Sequence, residues 1–155
     1  MAHVRSQVVV KAPLQTVWQL AQDSENFPKI MEDLEAVYIL EQDAVSDRLT
    51  HVVSEWHGRI PAFNRKVTWT EEEFWNSVDH TCSFKQIEGD FTEYTGIWSF
   101  QAVPDGVLVE LSIDYVFEVP LIGPIIGKVV QKLMTHNSNN MLMALKAEAE
   151  RNTCQ

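Results

Sequence analysis

Hydrophobic and polar positions alternate with a period of two along most of the chain, and this pattern predicts β-strands. The first run covers residues 3–11. Six further runs follow it, at 34–42, 47–57, 63–74, 78–88, 91–103 and 106–119. The breaks between them are short, and Asp105-Gly106 is a strong signal for a hairpin turn. Consecutive strands joined by tight turns predict an antiparallel meander, and the first run adds a seventh strand.

Helical patterns occupy the rest of the chain. After the first strand, Pro13 suits the first turn of a helix, and Asp23 or Ser24 suits the N-cap of a second short one. A long helix is predicted from about residue 124 to 150. Its apolar side chains share one face at helical spacing: Ile126, Val129, Val130, Leu133, Met141, Ala144 and Ala147. Leu142 points away from that face. Strands followed by a long helix predict an α+β fold.

Composition narrows the range of partners. The 155 residues suit one domain, residues 1–155, and the 45% hydrophobic fraction is ordinary for a globular protein. With 12 Lys+Arg against 22 Asp+Glu, the net charge is −10, which disfavours nucleic acid as a partner. Cys82 and Cys154 are expected to be free thiols. The sequence shows no signal peptide or membrane-spanning stretch, so a cytoplasmic location is expected.

Strand parity predicts an interior face that is rich in aromatic rings. Rigid rings suit the wall of a ligand cavity, although packing against the helix alone would also bury them. The aromatic members of this predicted face are Trp56, Phe63, Trp69, Phe84, Tyr94, Trp98, Phe100, Tyr115 and Phe117. Aliphatic and thioether side chains complete the predicted ligand-binding wall: Val67, Ile113, Leu133 and Met141. We therefore expect a hydrophobic small molecule as the ligand.

Three polar residues fall on these apolar faces. Arg65 has the inward parity of its strand, and a buried guanidinium requires a partner, either a ligand oxygen or an internal carboxylate. Asn137 and Asn140 lie in the middle of the helix stripe. Core helices rarely place two amides there without hydrogen-bond partners, which are a ligand, ordered water or the sheet. By contrast, we interpret Glu71-Glu72-Glu73 as a solvated strand end.

Two segments predicted as loops are unusually apolar, residues 60–63 and 121–127. Loops normally run over wet surface, so these segments predict a gate over a cavity or a transient contact with a membrane or protein. A hydrophobic plug at the base of the long helix explains them equally well. No histidine or cysteine cluster has metal-ligand spacing, and residues 123–129 lack the spacing of a phosphate loop. We predict no metal and no cofactor.

Three stretches form a recognisable signature. The first is near the N-terminus: Ala12-Pro13, Val17-Trp18, Leu20, Asp23, Glu25, Phe27-Pro28 and Met31. The second is central: Phe84, Gly89-Asp90-Phe91, Gly96 and Trp98. The third is the Gly123-Pro124 break before the long helix. With them, the chain resembles the START-like SRPBCC superfamily, in its polyketide cyclase/dehydrase and coenzyme Q-binding protein branch.

The resemblance implies a helix-grip fold, in which a seven-stranded antiparallel sheet wraps around the C-terminal helix and a deep hydrophobic cavity. Polyketide cyclases of this type orient a poly-keto chain with an internal arginine and hydroxyl groups. The resemblance thus implies Arg65 as a catalytic residue, with Tyr94 or Tyr115 as proton partner, if the chain is an enzyme. The quinone-binding relatives hold an isoprenoid and do no chemistry.

Three hypotheses of function follow. The leading one is binding or transport of a lipophilic molecule such as a quinone, isoprenoid, lipid or polyketide. The second is a polyketide aromatase/cyclase or dehydratase that uses Arg65 and pocket hydroxyls. The third is an accessory module that docks on a partner through its apolar loops. These signatures identify a fold more specifically than an activity, because one fold hosts many functions.

Overall fold

The sheet and the long helix of the helix-grip fold are both present in the computed structural model, which describes residues 1–61, 64–118 and 124–153. The seven strands form one antiparallel sheet in the order β1-β7-β6-β5-β4-β3-β2. The predicted fold class is confirmed. The strands are β1 (Ala2–Val10), β2 (Leu34–Ala44), β3 (Leu49–Ile60), β4 (Arg65–Asn76), β5 (Thr81–Gly89), β6 (Glu93–Val103) and β7 (Gly106–Val116).

Two short helices follow β1, as the sequence predicts. They are α1 (Leu14–Gln22), which buries Val17, Trp18 and Ala21, and a 3-10 helix (Ser24–Lys29). The long helix α2 (Pro124–Thr153) packs mainly against β1 and α1. Among the described residues, no helix is both long and apolar enough to cross a membrane.

The buried face of α2 differs from the predicted one. Leu142 and Leu145 are among the most deeply buried side chains of the molecule, whereas Ala147 is exposed. The buried positions recur mostly every four residues: Ile126, Val130, Ser138, Leu142, Leu145 and Ala149. A row of residues four apart is inclined to the helix axis. Consequently the buried stripe drifts around α2, and a single wheel drawn for the whole helix places Leu142 wrongly.

The β4–β5 connection also differs from the prediction, because β5 begins at Thr81 rather than at residue 78. The Asn76 side-chain oxygen accepts hydrogen bonds from the backbone amides of Val78 and Asp79, both at 3.0 Å. This asparagine turn ends at His80, whose φ of +53° is left-handed. Val78 is therefore exposed at the turn instead of facing the interior.

The hydrophobic core has two parts that meet at Trp69 and Met141. The larger part lies between the sheet, α1 and α2, and the smaller one lies beside the 3-10 helix and β2. Members of the smaller part are Phe27, Met31, Leu34, Val37 and Trp56.

A bulge interrupts the β4–β5 ladder between Thr70 and Glu71. The extra residue is Ile87 of β5, and because bulges bend and twist a strand, this one adds to the curvature of the sheet next to Glu71.

Candidate functional site

An apolar cavity lies between the sheet and α2. The space free of protein atoms measures about 950 Å³, including its open mouth. Its wall draws on both parts of the core and on the facing turns of α2. The lining residues are Met31, Asp33, Leu34, Trp56, Gly58, Arg59, Ile60, Val67, Trp69, Glu71, Phe84, Phe91, Tyr94, Trp98, Leu111, Ile113, Phe117, Val130, Leu133, Met134, Asn137, Ser138 and Met141.

Aromatic rings make the sheet side of the cavity rigid. Trp56 of β3 and Trp69 of β4 are direct cross-strand partners, and their indoles are stacked with centroids 5.8 Å apart and planes 10° apart. Trp69 also meets Phe91 edge to face at 5.5 Å and Tyr94 at 5.5 Å. Interlocked rings of this kind hold a flat apolar surface in place.

Two carboxyl groups are buried in β4, on the same face as Trp69. Glu71 and Glu73 are 5% and 3% exposed. The indole of Trp69 donates to Glu71 Oε1 at 2.8 Å, and the indole of Trp75 donates to Glu73 Oε1 at 2.8 Å. Glu71 is part of the cavity wall, whereas Glu73 is not among the lining residues. This carboxyl pair overturns the interpretation of Glu71-Glu72-Glu73 as a solvated strand end.

Burial raises the pKa of Glu71 well above its usual value. Repulsion from Glu73 and a hydrogen bond to its side chain raise the pKa of Glu71 further, while the bond from Trp69 acts in the opposite direction. Burial also raises the pKa of Tyr94, and so does the proximity of Glu71 and Glu73. The Tyr94 phenol is therefore held in its neutral, hydrogen-bonding form.

The α2 side of the cavity adds two more polar groups, Asn137 and Ser138. Ser138 is 4% exposed, and it belongs to the cavity wall. Together with Glu71 and Tyr94, these side chains place hydrogen-bonding groups on opposite walls of an otherwise apolar space. That combination of apolar walls and few polar groups is typical of small-molecule sites.

Comparison with known proteins identifies the family. Residues 10–142 match the family described as polyketide cyclase/dehydrase and lipid transport. The chain belongs to this family. A provisionally assigned polyketide cyclase from Streptomyces halstedii is 30% identical over 111 residues, which cover 69% of this chain and 94% of that protein.

Solved structures support the fold of this polyketide cyclase/dehydrase family member. A Thermus thermophilus protein superposes with a TM-score of 0.87 at 29% identity, covering 98% of this chain and 99% of the other. The Zhui aromatase/cyclase from a Streptomyces species superposes with a TM-score of 0.81. It covers 97% of this chain and 94% of its own, and at 22% identity the likeness concerns the fold alone.

Most of the side chains predicted for the cavity of this family member do line it. The structure brings together Trp56, Val67, Trp69, Phe84, Tyr94, Trp98, Ile113, Phe117, Leu133, Asn137 and Met141. Strand parity identifies the strand residues because alternation is local, and the cavity lies on the inward face. Their role in binding a ligand stays a prediction.

Four predicted residues lie elsewhere, and Phe63 falls outside the described residues. Arg65 is exposed, with its guanidinium 5.9 Å from the centre of the Phe117 ring.

Phe100 is buried but packs edge to face on Trp18 at 5.3 Å. Tyr115 is not among the lining residues, and its hydroxyl donates to Gln131 Oε1 at 2.7 Å. Asn140 is exposed and bonds His136 one turn earlier on α2.

The structure describes only part of the two predicted apolar loops, residues 60–63 and 121–127. Ile60 belongs to β3 and lines the cavity, while residues 62 and 63 lie outside the described residues. Residues 121–123 also lie outside them, and α2 begins at Pro124. A gate or a docking patch at these segments therefore stays a prediction.

Several lining residues were missed by the sequence analysis. Glu71 and Phe91 are the most informative of them. Glu71 has the same parity as Val67 and Trp69, so the signal was present, but the run of three glutamates suggested solvent. Phe91 belongs to the quoted Gly89-Asp90-Phe91 signature, yet it lies between β5 and β6 where parity does not apply. Two hydrogen bonds fix the Phe91 backbone to the Gln86 side chain: the Phe91 N–H donates to Gln86 Oε1, and Gln86 Nε2 donates to the Phe91 carbonyl.

One group of potential metal ligands was also missed. Among the described residues, Glu41, Asp43 and His51 bring their ligand atoms within 4.8 Å of one another. Antiparallel pairing places Asp43 opposite His51, which sequence spacing alone does not reveal. The carboxylates are exposed, and His51 Nε2 already lies 3.2 Å from Glu72 Oε2. None of these residues lines the cavity.

Proposed function

We propose that this protein binds a hydrophobic, polyketide-like small molecule in the cavity between the sheet and α2. The observation that carries the proposal is the ring-walled cavity with polar groups on opposite sides. Membership of the polyketide cyclase/dehydrase and lipid transport family supports the same ligand class.

The shape of the wall favours a planar ligand over a long aliphatic chain. The parallel indoles of Trp56 and Trp69 present a flat surface on the sheet side. The polar groups at Glu71, Tyr94 and Asn137 come from three different elements of the wall, β4, β6 and α2. A molecule with several oxygens on fused rings, or a folded chain of ketones, would match this distribution. A lipid with a single head group would leave some polar groups unmatched.

A second candidate function is cyclisation or dehydration of that ligand. The presence of Tyr94 and Glu71 in one apolar cavity favours it, because both can exchange protons with a bound molecule. Similarity to the Streptomyces halstedii protein supports it as well. Arg65, the arginine of the original enzyme hypothesis, lies outside the cavity, so the candidate reaction would rest on other groups.

Calorimetric titration with a hydroxylated anthraquinone tests the binding proposal. Met141 lines the cavity and Met143 is exposed two residues later on the same helix, so they form a matched pair. We expect Met141→Trp to weaken binding at least about tenfold by filling the cavity, and Met143→Trp to bind like wild type. Circular dichroism checks that both variants are folded. A wild-type protein that binds no such probe would refute the proposal, as would equal binding by both variants.

A separate assay distinguishes a carrier from an enzyme. The protein is incubated with a linear poly-keto thioester, and ring closure is followed by liquid chromatography and mass spectrometry. Acceleration over buffer that is reduced by Tyr94→Phe but retained by Arg65→Ala would support the enzyme. Binding of the substrate without acceleration would support the carrier. Mass spectrometry of organic extracts from the natively purified protein then identifies a retained ligand.

A further inference from the structure

The buried carboxyl pair Glu71–Glu73 identifies a specific ligand group. We propose that this pair, holding one proton between its two carboxyl groups, accepts a hydrogen bond from a phenol or enol hydroxyl of the ligand. The inference rests on the proposed function, because it names the group recognised in the same cavity. Three observations support it: the burial of the pair, its hydrogen bonds, and the absence of a counter-ion among the described residues.

The charge of the pair follows from its surroundings. Both carboxyls are more than nine-tenths buried, and no Lys, Arg or His among the described residues forms an ion pair with either. Two adjacent carboxylates without a counter-ion cannot both ionise at neutral pH. If both were neutral, the hydrogen bonds that the pair accepts would lose the extra strength that a charged acceptor provides. One shared proton and one negative charge satisfy both conditions.

The hydrogen bonds indicate where that charge resides. Glu73 accepts from Ser54 Oγ at 2.6 Å and from the Trp75 indole at 2.8 Å. Both oxygens of Glu73 therefore already accept hydrogen bonds from other side chains. Glu71, whose pKa is raised, then carries the proton and donates it in the hydrogen bond between the two side chains. The buried charge is thus stabilised behind the cavity wall, and it acts on a ligand through the Glu71 carboxyl.

The remaining capacity of Glu71 is an acceptor. Its Oε1 takes one hydrogen bond, from Trp69, and a carboxyl oxygen has a second lone pair. Since Glu71 lines the cavity, that lone pair is available to a ligand. A negative charge behind it strengthens the acceptor, and a hydroxyl is the donor that a polyketide-like ligand supplies. A ketone or ether oxygen at this place would instead meet another acceptor and be disfavoured.

The surroundings of the pair hold further polar groups. Ser138 of α2 is buried and lines the same cavity as Glu71. Other titratable groups near the pair are Tyr94 of β6 and Cys82 of β5, whose pKa values are both raised by burial, while Asp33 and Arg59 also line the cavity. None of them supplies a counter-ion to the pair.

The test compares naphthol with its methyl ether, two planar probes that differ in a single O–H donor. We expect wild type to bind naphthol about tenfold more tightly. Glu71→Gln should keep this preference, because its amide oxygen still accepts and its NH₂ group donates to Glu73. Glu71→Leu should lose it. Glu72→Gln, whose side chain lies on the other face of β4 beside His51, is the control that should behave like wild type.

A spectroscopic measurement covers the case in which Glu71→Leu does not fold. Infrared difference spectra of wild type at neutral pH should contain a protonated-carboxyl band that is absent from Glu71→Gln and retained in Glu72→Gln. The band should shift on binding naphthol and not on binding the ether. If wild type binds both probes equally, or the band is missing, the inference is wrong while the proposed function stands. If neither probe binds, the proposed function itself has failed.

Discussion

The hydroxyl of Ser54 donates a hydrogen bond to Glu73 Oε2 over 2.6 Å, and neither side chain has appreciable contact with solvent. The same hydroxyl accepts a bond from the Trp56 indole at 2.8 Å. Ser54 therefore connects a ring of the cavity wall to the carboxyl behind it. Through this one side chain, a wall tryptophan on β3 is linked to a buried carboxyl on β4.

Replacing Ser54 should reveal how much this connection contributes to stability. Ser54→Ala leaves the Trp56 indole without its acceptor and removes one donor from Glu73. We expect the free energy of unfolding in urea to fall by about 1–3 kcal/mol, the usual cost of unsatisfied buried groups. Ser83→Ala, at an exposed position on β5, should change it by less than about 0.5 kcal/mol. Equal stability of the two variants would contradict the connection.

The pH dependence of stability should report the raised pKa of Glu71. The unfolded chain releases this proton near the ordinary value of 4.5, whereas the folded protein retains it to higher pH. The native state thus binds more protons above that value, and stability should fall as pH rises towards the native pKa. Below the unfolded pKa, the contribution of Glu71 is fully present. The slope approaches about 1.4 kcal/mol per pH unit for one proton.

Urea denaturation of Glu71→Gln and Glu72→Gln from about pH 4.5 to pH 8 provides the measurement. Glu71→Gln lacks the titrating group, so its stability should decline less steeply with pH than that of wild type. Glu72→Gln removes an equivalent charge from the other face of the same strand and should retain the wild-type slope. Parallel curves for all three proteins would show that Glu71 does not keep its proton in the folded state.

Gly96 should tolerate no side chain, because the Phe84 ring occupies the space that a β-carbon would need. A Cβ built at Gly96 collides with that ring and with the Ser112 carbonyl oxygen. We expect Gly96→Ala to destabilise the protein by about 1–3 kcal/mol through overpacking, and to weaken ligand binding by displacing Phe84 from the wall. Thermal denaturation measures the first effect and calorimetry the second.

Gly127 offers the matched control for that substitution. It lies at an exposed position of α2, and nothing approaches its Cβ position within 4 Å. Gly127→Ala should stabilise the protein by about 0.5–1 kcal/mol, because alanine loses less conformational entropy in a helix. The same chemical change is thus expected to have opposite signs at the two positions. Two changes of the same sign would argue against the close approach of Phe84 to β6.

Tyr115 should stabilise the fold without affecting the ligand. Its hydroxyl donates to Gln131 Oε1 at 2.7 Å, and the Gln131 amide donates to the His3 carbonyl at 3.1 Å, so the network joins β7, α2 and β1. Tyr115→Phe should lower the free energy of unfolding by about 0.5–1.5 kcal/mol. Anthraquinone affinity should be unchanged, whereas Tyr94→Phe should reduce it. A loss of affinity in Tyr115→Phe would contradict a purely structural role and would indicate that Tyr115 contacts the ligand.

The contrast between Arg65 and Val67 shows how far parity reaches. Both have the inward parity of β4, yet Val67 is buried in the wall and Arg65 is exposed at the first position of the strand. Alternation specifies which face a side chain takes, but not whether anything covers that face at its end. There the guanidinium extends past the apolar wall and lies near the Phe117 ring.

Asn137 and Asn140 illustrate the same limit on the helix. Both fall within the predicted stripe, but Asn137 lines the cavity while Asn140 is exposed and bonds His136. The buried row on α2 is inclined to the helix axis, so equal placement on a helical wheel does not mean equal burial. Which member of such a pair is covered depends on how α2 crosses the sheet.

The sequence by itself determined the order of elements, the sheet class and most of the aromatic wall, because the period-two and helical patterns arise from backbone geometry within each segment. Only the tertiary structure decided that Glu71 and Glu73 are buried. Their parity was readable, but whether a carboxyl can be buried depends on donors from other positions: Ser54 on β3 and the indoles of Trp69 and Trp75. Burial and charge are properties of the assembled neighbours, which no single segment contains.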